Sequence, residues 1–268
     1  MSRRWILLPL LPLMLLGVPS PAQNHPPLTL PDEAYPQMVQ HSAKLLQDVL
    51  ADPTAKKANE RALNIALLLA AYAEQNLTGP DARQRTAVRD VALTIDQLVR
   101  AGQVDKALEA ARTLPNPPIN ANAPVAKAKN LNNQPVEELM RQFTLPRRGG
   151  EGIEARLMKL AEGKGPLNAK DLNDDLLRTA YQTAVAAELL QGYPQRPAAA
   201  KVAWDALAED VRVTALELAA AVKKKDGGDA RIALKRLDAS CQNCHEIVRR
   251  NALGVGPRPP LPPKPAAN

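Results

Sequence analysis

Near its carboxyl end the chain carries Cys241-Gln242-Asn243-Cys244-His245, which holds both of its cysteines and one of its three histidines. Residues three apart on a helix share a face. Two thiols placed this way can form thioethers to the two vinyl groups of a haem lying across that face, and the imidazole that follows can bind the iron. Three other chemistries compete for the same residues. A structural zinc needs four ligands, normally with a third or fourth Cys or His, and the remaining histidines, His25 and His41, lie near the other end of the chain. A thioredoxin-like pair would follow a strand and open a helix in a βαβ unit. A disulfide between residues three apart would strain a regular helix and leaves His245 without a role. The motif therefore predicts haem c attached through Cys241 and Cys244, with His245 as axial ligand of the iron.

Composition sets the scaffold that must carry this motif. Hydrophobic residues make up 45% of the 268, but alanine and leucine dominate them, against 4 Tyr, 2 Trp and 1 Phe. Helix formers abound and strand-forming aromatics are scarce, which predicts an all-α fold. The net charge of +7 is spread among acidic residues with no dense basic run, so no nucleic-acid partner is expected. At the amino end, Ser2-Arg3-Arg4, the apolar run 5–18 and the small residues Ser20-Pro21-Ala22 read as a signal peptide over residues 1–22 that is cut after Ala22. That run is short for a membrane span and contains Pro9 and Pro12, and no second apolar stretch of spanning length follows. The expected mature protein is exported, to the periplasm or an equivalent compartment, without a transmembrane segment.

Breaker-rich stretches divide the rest. Residues 23–31 and the tail, 253–268, are Pro-rich and exclude helix. A third stretch, 115–134, rich in Pro and Asn, reads as a linker between two helical blocks, 32–114 and 135–252. In the second block the three- and four-residue spacing of apolar positions predicts helices over 168–191, 197–225 and from Asp229 through the motif, with Asp229 as N-cap. Two shorter pieces, 136–144 and 152–162, are separated by Pro146-Arg147-Arg148-Gly149-Gly150 and form a broken first helix, completing a four-helix bundle. The first block predicts helices over 36–50, 54–76, 81–101 and 104–113. The repeated plan suggests two tandem four-helix-bundle-like blocks related by a degenerate duplication. Having no cysteine, the first cannot hold a covalent haem.

The second block resembles the cytochrome c-prime group, four-helix-bundle cytochromes whose haem motif lies near the C-terminus of the last helix, unlike ordinary cytochromes c. The resemblance covers roughly residues 135–251 and is carried by Cys241-Gln242-Asn243-Cys244-His245 followed by Arg249. Arg249 matches the basic residue common after the motif, while Val248 stands where an aromatic is usual, a departure that bears on shielding of the proximal side. The resemblance implies that the first helix supplies the distal face of the iron. An apolar residue there would leave the iron five-coordinate and open to small gases, and a Met would give a six-coordinate electron carrier. Met140 and Met158 are the two candidates for a sixth ligand, and each could equally be core filler on an apolar face.

His41 belongs to the other block and reads as a surface residue. Trp204 and Tyr181 suit packing on a ring edge or in the core, and Arg147 and Arg148 suit a propionate contact or a solvated loop. The leading expectation is an exported monohaem c-type cytochrome that transfers electrons to a redox partner protein, with homodimerisation left open. The alternatives are a five-coordinate gas-binding or sensing haemoprotein, and a haem domain docked to partners through its N-terminal block. No constellation for hydrolysis, group transfer or phosphate binding is present, and enzymatic activity is not expected.

Overall fold

The computed structural model describes residues 30–31, 34–55, 57–74, 77, 79–122, 124–125, 131, 135–193 and 198–252, without the side chains of 198–200 and 247–252. The expected signal peptide, most of the Pro-rich segment after it, His25, part of the expected linker and the tail 253–268 lie outside the described residues, as do the side chains of Val248 and Arg249. Among the described residues the secondary structure is helical, with no strand. None of these helices is long and apolar enough to cross a membrane.

Among the described residues nine α-helices follow in order: α1 (Ala34–Ala51), α2 (Ala58–Ala73), α3 (Ala82–Arg100), α4 (Val104–Thr113), α5 (Val136–Arg141), α6 (Ile153–Ala161), α7 (Asp174–Gln191), α8 (Ala198–Lys223) and α9 (Gly227–Ala252). A short 3-10 turn, Pro146–Arg148, lies between α5 and α6. Helices α1 to α4 pack in a closed circuit, α1 on α2, α2 on α3, α3 on α4 and α4 on α1; α7, α8 and α9 pack in sequence, and α6 lies against α9.

Two helices bury nearly their whole circumference. In α2 the run Asn64–Ala73 is buried throughout, and in α7 so is Thr179–Ala187. A helix apolar on all sides belongs inside a core, and these two meet each other where the halves of the molecule adjoin. Their many alanines permit that approach. The buried apolar residues of both halves form one continuous cluster from Leu30 to Leu237.

Several helix starts differ from the expected ones, α2 beginning at Ala58 rather than 54 among them, and two of the differences have a capping reason. α7 begins at Asp174, not near 168, because Asn168 turns the chain: its Oδ1 accepts from the N–H of Lys170 and Asp171 at 2.9 and 3.1 Å. Asn173 then caps α7, its Oδ1 accepting from Leu176 N–H at 3.0 Å, as a side-chain acceptor one residue ahead of a helix does. α9 begins at Gly227, and its cap is Asp226, whose Oδ1 accepts from Gly228 N–H and Asp229 N–H at 2.9 Å each. Asp229 is inside the helix.

His41, expected at the surface, is half-buried on α1. Burial, reinforced by Arg178 of α7 and Arg156 of α6 and opposed by Asp175, lowers its pKa from 6.5 to about 4. The folded chain therefore binds fewer protons at His41 than the unfolded chain between those values, so its contribution to stability is intact above pH 6.5 and is lost as pH falls toward 4. Allowing for solvent screening of a half-exposed group, that loss is roughly 1–2 kcal/mol. Thermal melts should accordingly show wild type losing more stability than His41→Gln between pH 7 and pH 4.5.

Candidate functional site

The motif helix is set in place at its N-terminal end. Leu167 N–H donates to Gly227 O at 2.9 Å, and a Cβ on Gly227 would stand 2.1 Å from Leu167 O, so the turn before α7 and the first residue of α9 are in direct backbone contact. From there Ala230, Ala233, Leu234 and Leu237 are each at most 3% exposed. They form the stripe that packs on α8 and α6. Continuing the same spacing brings Cys241 and Cys244 onto that stripe, half-buried and packed against the core. The thiols are unpaired, and the helix runs through them unbroken. His245, one residue on, is exposed and stands at the rim.

These three residues face a narrow cleft whose space, open solvent at its mouth included, is about 600 Å³. Its walls are almost entirely apolar. The wall opposite α9 comes from the broken helix: Met140 of α5, Phe143 just after it, and Glu154, Leu157 and Met158 of α6. Ala187 and Leu190 of α7 and Val211 of α8 form the floor, and α9 contributes Leu237 and Asp238 besides the motif. Thus five of the residues singled out from sequence, Cys241, Cys244, His245, Met140 and Met158, line one cavity although more than 80 residues separate α6 from the motif.

Met140 is half-buried and packed against the core, whereas Met158 is 39% exposed. The other candidates lie elsewhere. His41, Arg147, Arg148, Trp204 and Tyr181 do not line the cleft. Arg147 and Arg148 are exposed on the 3-10 turn. Trp204 is buried, and its indole N–H donates to Leu190 O at 2.6 Å, supporting the residue that forms the cleft floor.

Two carboxylates escaped the sequence reading. Glu154 and Asp238 line the otherwise apolar cleft, and both act on the first thiol. Burial pushes the Cys241 thiol up to about 12, with Glu154, Cys244, Asp238 and Asp210 adding to the effect, because a thiolate in an apolar wall beside negative charge is unfavourable. Burial raises Cys244 as well. A signal for both carboxylates was available: Asp238 precedes Cys241 by three residues and Glu154 precedes Met158 by four, spacings that share a helix face.

Chemically, the cleft offers two protonated thiols on one face, an imidazole at the rim, a thioether side chain opposite and a low-polarity interior. A flat apolar group with two addition-competent substituents and a metal centre fits that set of donors. Comparison with protein-family models, with curated proteins and with solved structures returns no match to this chain.

Proposed function

We propose that the protein is an exported monohaem c-type cytochrome that transfers electrons, built as two four-helix-bundle-like blocks of which the second, residues 135–252, is cytochrome c-prime-like and carries the haem. One observation carries this reading: a single apolar cleft is bounded by both thiols and the imidazole of the motif together with both candidate methionines. Cys241 and Cys244 would hold the group, each S–H adding across one vinyl with nothing lost, and His245 would bind its iron from the rim. The group, once bound, supplies a one-electron ferrous/ferric couple. The chain's own part is to exclude water with Phe143, Leu157, Leu190 and Val211 and to fix the imbalance of charge around the cleft with Glu154 and Asp238.

A second reading, a gas-binding or sensing haemoprotein with an open distal face, is favoured by the exposure of Met158 and by the apolar character of Phe143 and Leu157 beside it. Of the two methionines, half-buried Met140 is the better placed ligand. The test is production in a host that matures c-type cytochromes, followed by intact-protein mass and the spin state of the ferric form. A mass exceeding the polypeptide by one haem supports attachment, and the bare polypeptide mass overturns it. A low-spin ferric signal that becomes high-spin in Met140→Leu and is unchanged in Met158→Leu supports the electron carrier. A high-spin wild type that binds carbon monoxide on reduction selects the second reading.

A further inference from the structure

The cleft wall opposite the motif has an origin that the site itself does not explain. It rests on α5 and α6, of six and nine residues, and isolated helices shorter than about 12–15 residues are marginal in water. Between them the chain folds back tightly. Gly152 N–H donates to Thr144 O at 2.7 Å, Glu151 N–H to Gln142 O at 2.8 Å and Glu154 N–H to Phe143 O at 3.1 Å. These bonds fix α6 relative to α5, and α6 itself packs on α9 and is tied to α7 by Arg156 Nη1 donating to Thr179 Oγ1 at 2.7 Å.

A further constraint, on α5 and the loop between the two helices, comes from the block without the motif. Asn64 of α2, itself buried, donates from Nδ2 to Gly149 O at 2.9 Å. Arg61, one turn earlier, reaches Glu151 with Nη2 at 3.2 Å and Nε at 3.3 Å, the two side chains 22% and 12% exposed. Arg100, at the end of α3, pairs with Glu138 of α5 at 2.9 Å. The backbone approaches closely too: Gly149 has φ +92°, and a Cβ there would come within 3.1 Å of Glu60 Cβ. The pinned residues adjoin both pieces of the wall, since Glu138 precedes Met140 by two residues and Glu151 precedes Glu154 by three. Burial raises the Glu151 carboxyl pKa and Arg61 opposes the rise, so the pair sits where losing a partner leaves an uncompensated buried charge.

We propose that the motif-free block is the brace of the cleft: Arg61, Asn64 and Arg100 are positioning residues that hold the broken helix, and through it Met140, Phe143, Glu154 and Met158, at a fixed distance from the motif. The block thereby sets the ligation state of the iron without touching the cofactor. This rests on the haem reading for its spectroscopic consequence, but its mechanical part is independent of it.

The experiment uses the full chain, loaded with haem in a maturing host, and compares wild type with Arg61→Glu, with the charge swap Arg61→Glu/Glu151→Arg, and with the milder Arg100→Gln. Two readouts are taken: amide hydrogen exchange over residues 139–161, and the ferric high-spin to low-spin ratio. Arg61→Glu is expected to speed exchange in that segment by about tenfold or more while α8 and α9 keep their protection, and to shift the spin ratio; the swap restores both, and Arg100→Gln moves both in the same direction by less. If Arg61→Glu fails to fold, Arg100→Gln and the swap carry the test. Unchanged exchange and unchanged spectra in folded variants overturn the brace, as does exchange that rises equally across all helices. A chain of bare polypeptide mass overturns the haem reading instead, and exchange alone then decides whether the brace exists.

Discussion

The double substitution Cys241→Ala/Cys244→Ala should give a colourless chain of bare polypeptide mass that still folds. Both thiols lie on the buried stripe of α9, but each is only half-buried, and alanine has the highest helix propensity of any residue. Removing two half-buried sulfur atoms costs little packing, on the order of 1 kcal/mol. On the proposed haem reading, attachment would by contrast be lost completely, because the sequence has no other cysteine. Leu237→Ala is the complementary variant. Leu237 is 0% exposed one turn before Cys241, so truncating it should cost about 2–5 kcal/mol while leaving both thiols available for attachment. Intact mass and thermal melts of the two variants should therefore separate cleanly: loss of pigment with little change in stability for the first, loss of stability with pigment retained for the second. If the double variant were as unstable as Leu237→Ala, the cysteines would be structural.

The second large effect is expected at the N-terminal end of the motif helix. Gly227→Ala places a methyl 2.1 Å from Leu167 O and 3.0 Å from Leu167 C and N, all backbone atoms that cannot swing aside. The contact is also a hydrogen-bonded one, since Leu167 N–H donates to Gly227 O. Relief requires moving either the turn before α7 or the start of α9, and overpacking against backbone is expected to cost about 3 kcal/mol or more. For a chain of this size that is roughly 6–12 °C in melting temperature. Gly228→Ala is the control, because its nearest neighbour is the flexible Asp226 Oδ1 at 3.3 Å; its melting temperature should stay within a few degrees of wild type, roughly within 1 kcal/mol. Equal effects at both positions would mean that helix-start entropy, not the Leu167 contact, dominates.

The helices were legible in the sequence wherever alanine and leucine recur at three- and four-residue spacing between Pro and Gly, and the continuation of the α9 stripe into Cys241 and Cys244 could be read from spacing alone. Helix starts were less legible. Asn168 and Asp226 take their roles from local side-chain to backbone hydrogen bonds, and such bonds compete with helix formation in ways periodicity does not register. Met140 and Met158 were both readable as facing inward, but their difference in exposure depends on how far α6 is turned toward solvent, which long-range packing of the broken helix determines. Glu154 was missed because a carboxylate on an amphipathic helix is ordinarily solvated. His41 was misjudged for a related reason: its neighbours Arg156, Asp175 and Arg178 come from helices more than 100 residues away. The contacts of Arg61 and Asn64 with the loop at 149–151 are likewise long-range and leave no local trace.

The elevated pKa of the Cys241 thiol also bears on the interval before any prosthetic group arrives. Sulfur reacts with oxidants and with other sulfurs chiefly as the anion, and a side chain that stays protonated at neutral pH is kinetically sheltered from both. A newly folded, empty chain in an oxidising milieu would thus keep its neighbouring pair reduced, and the same apolar wall that suits the finished assembly would guard its own raw material.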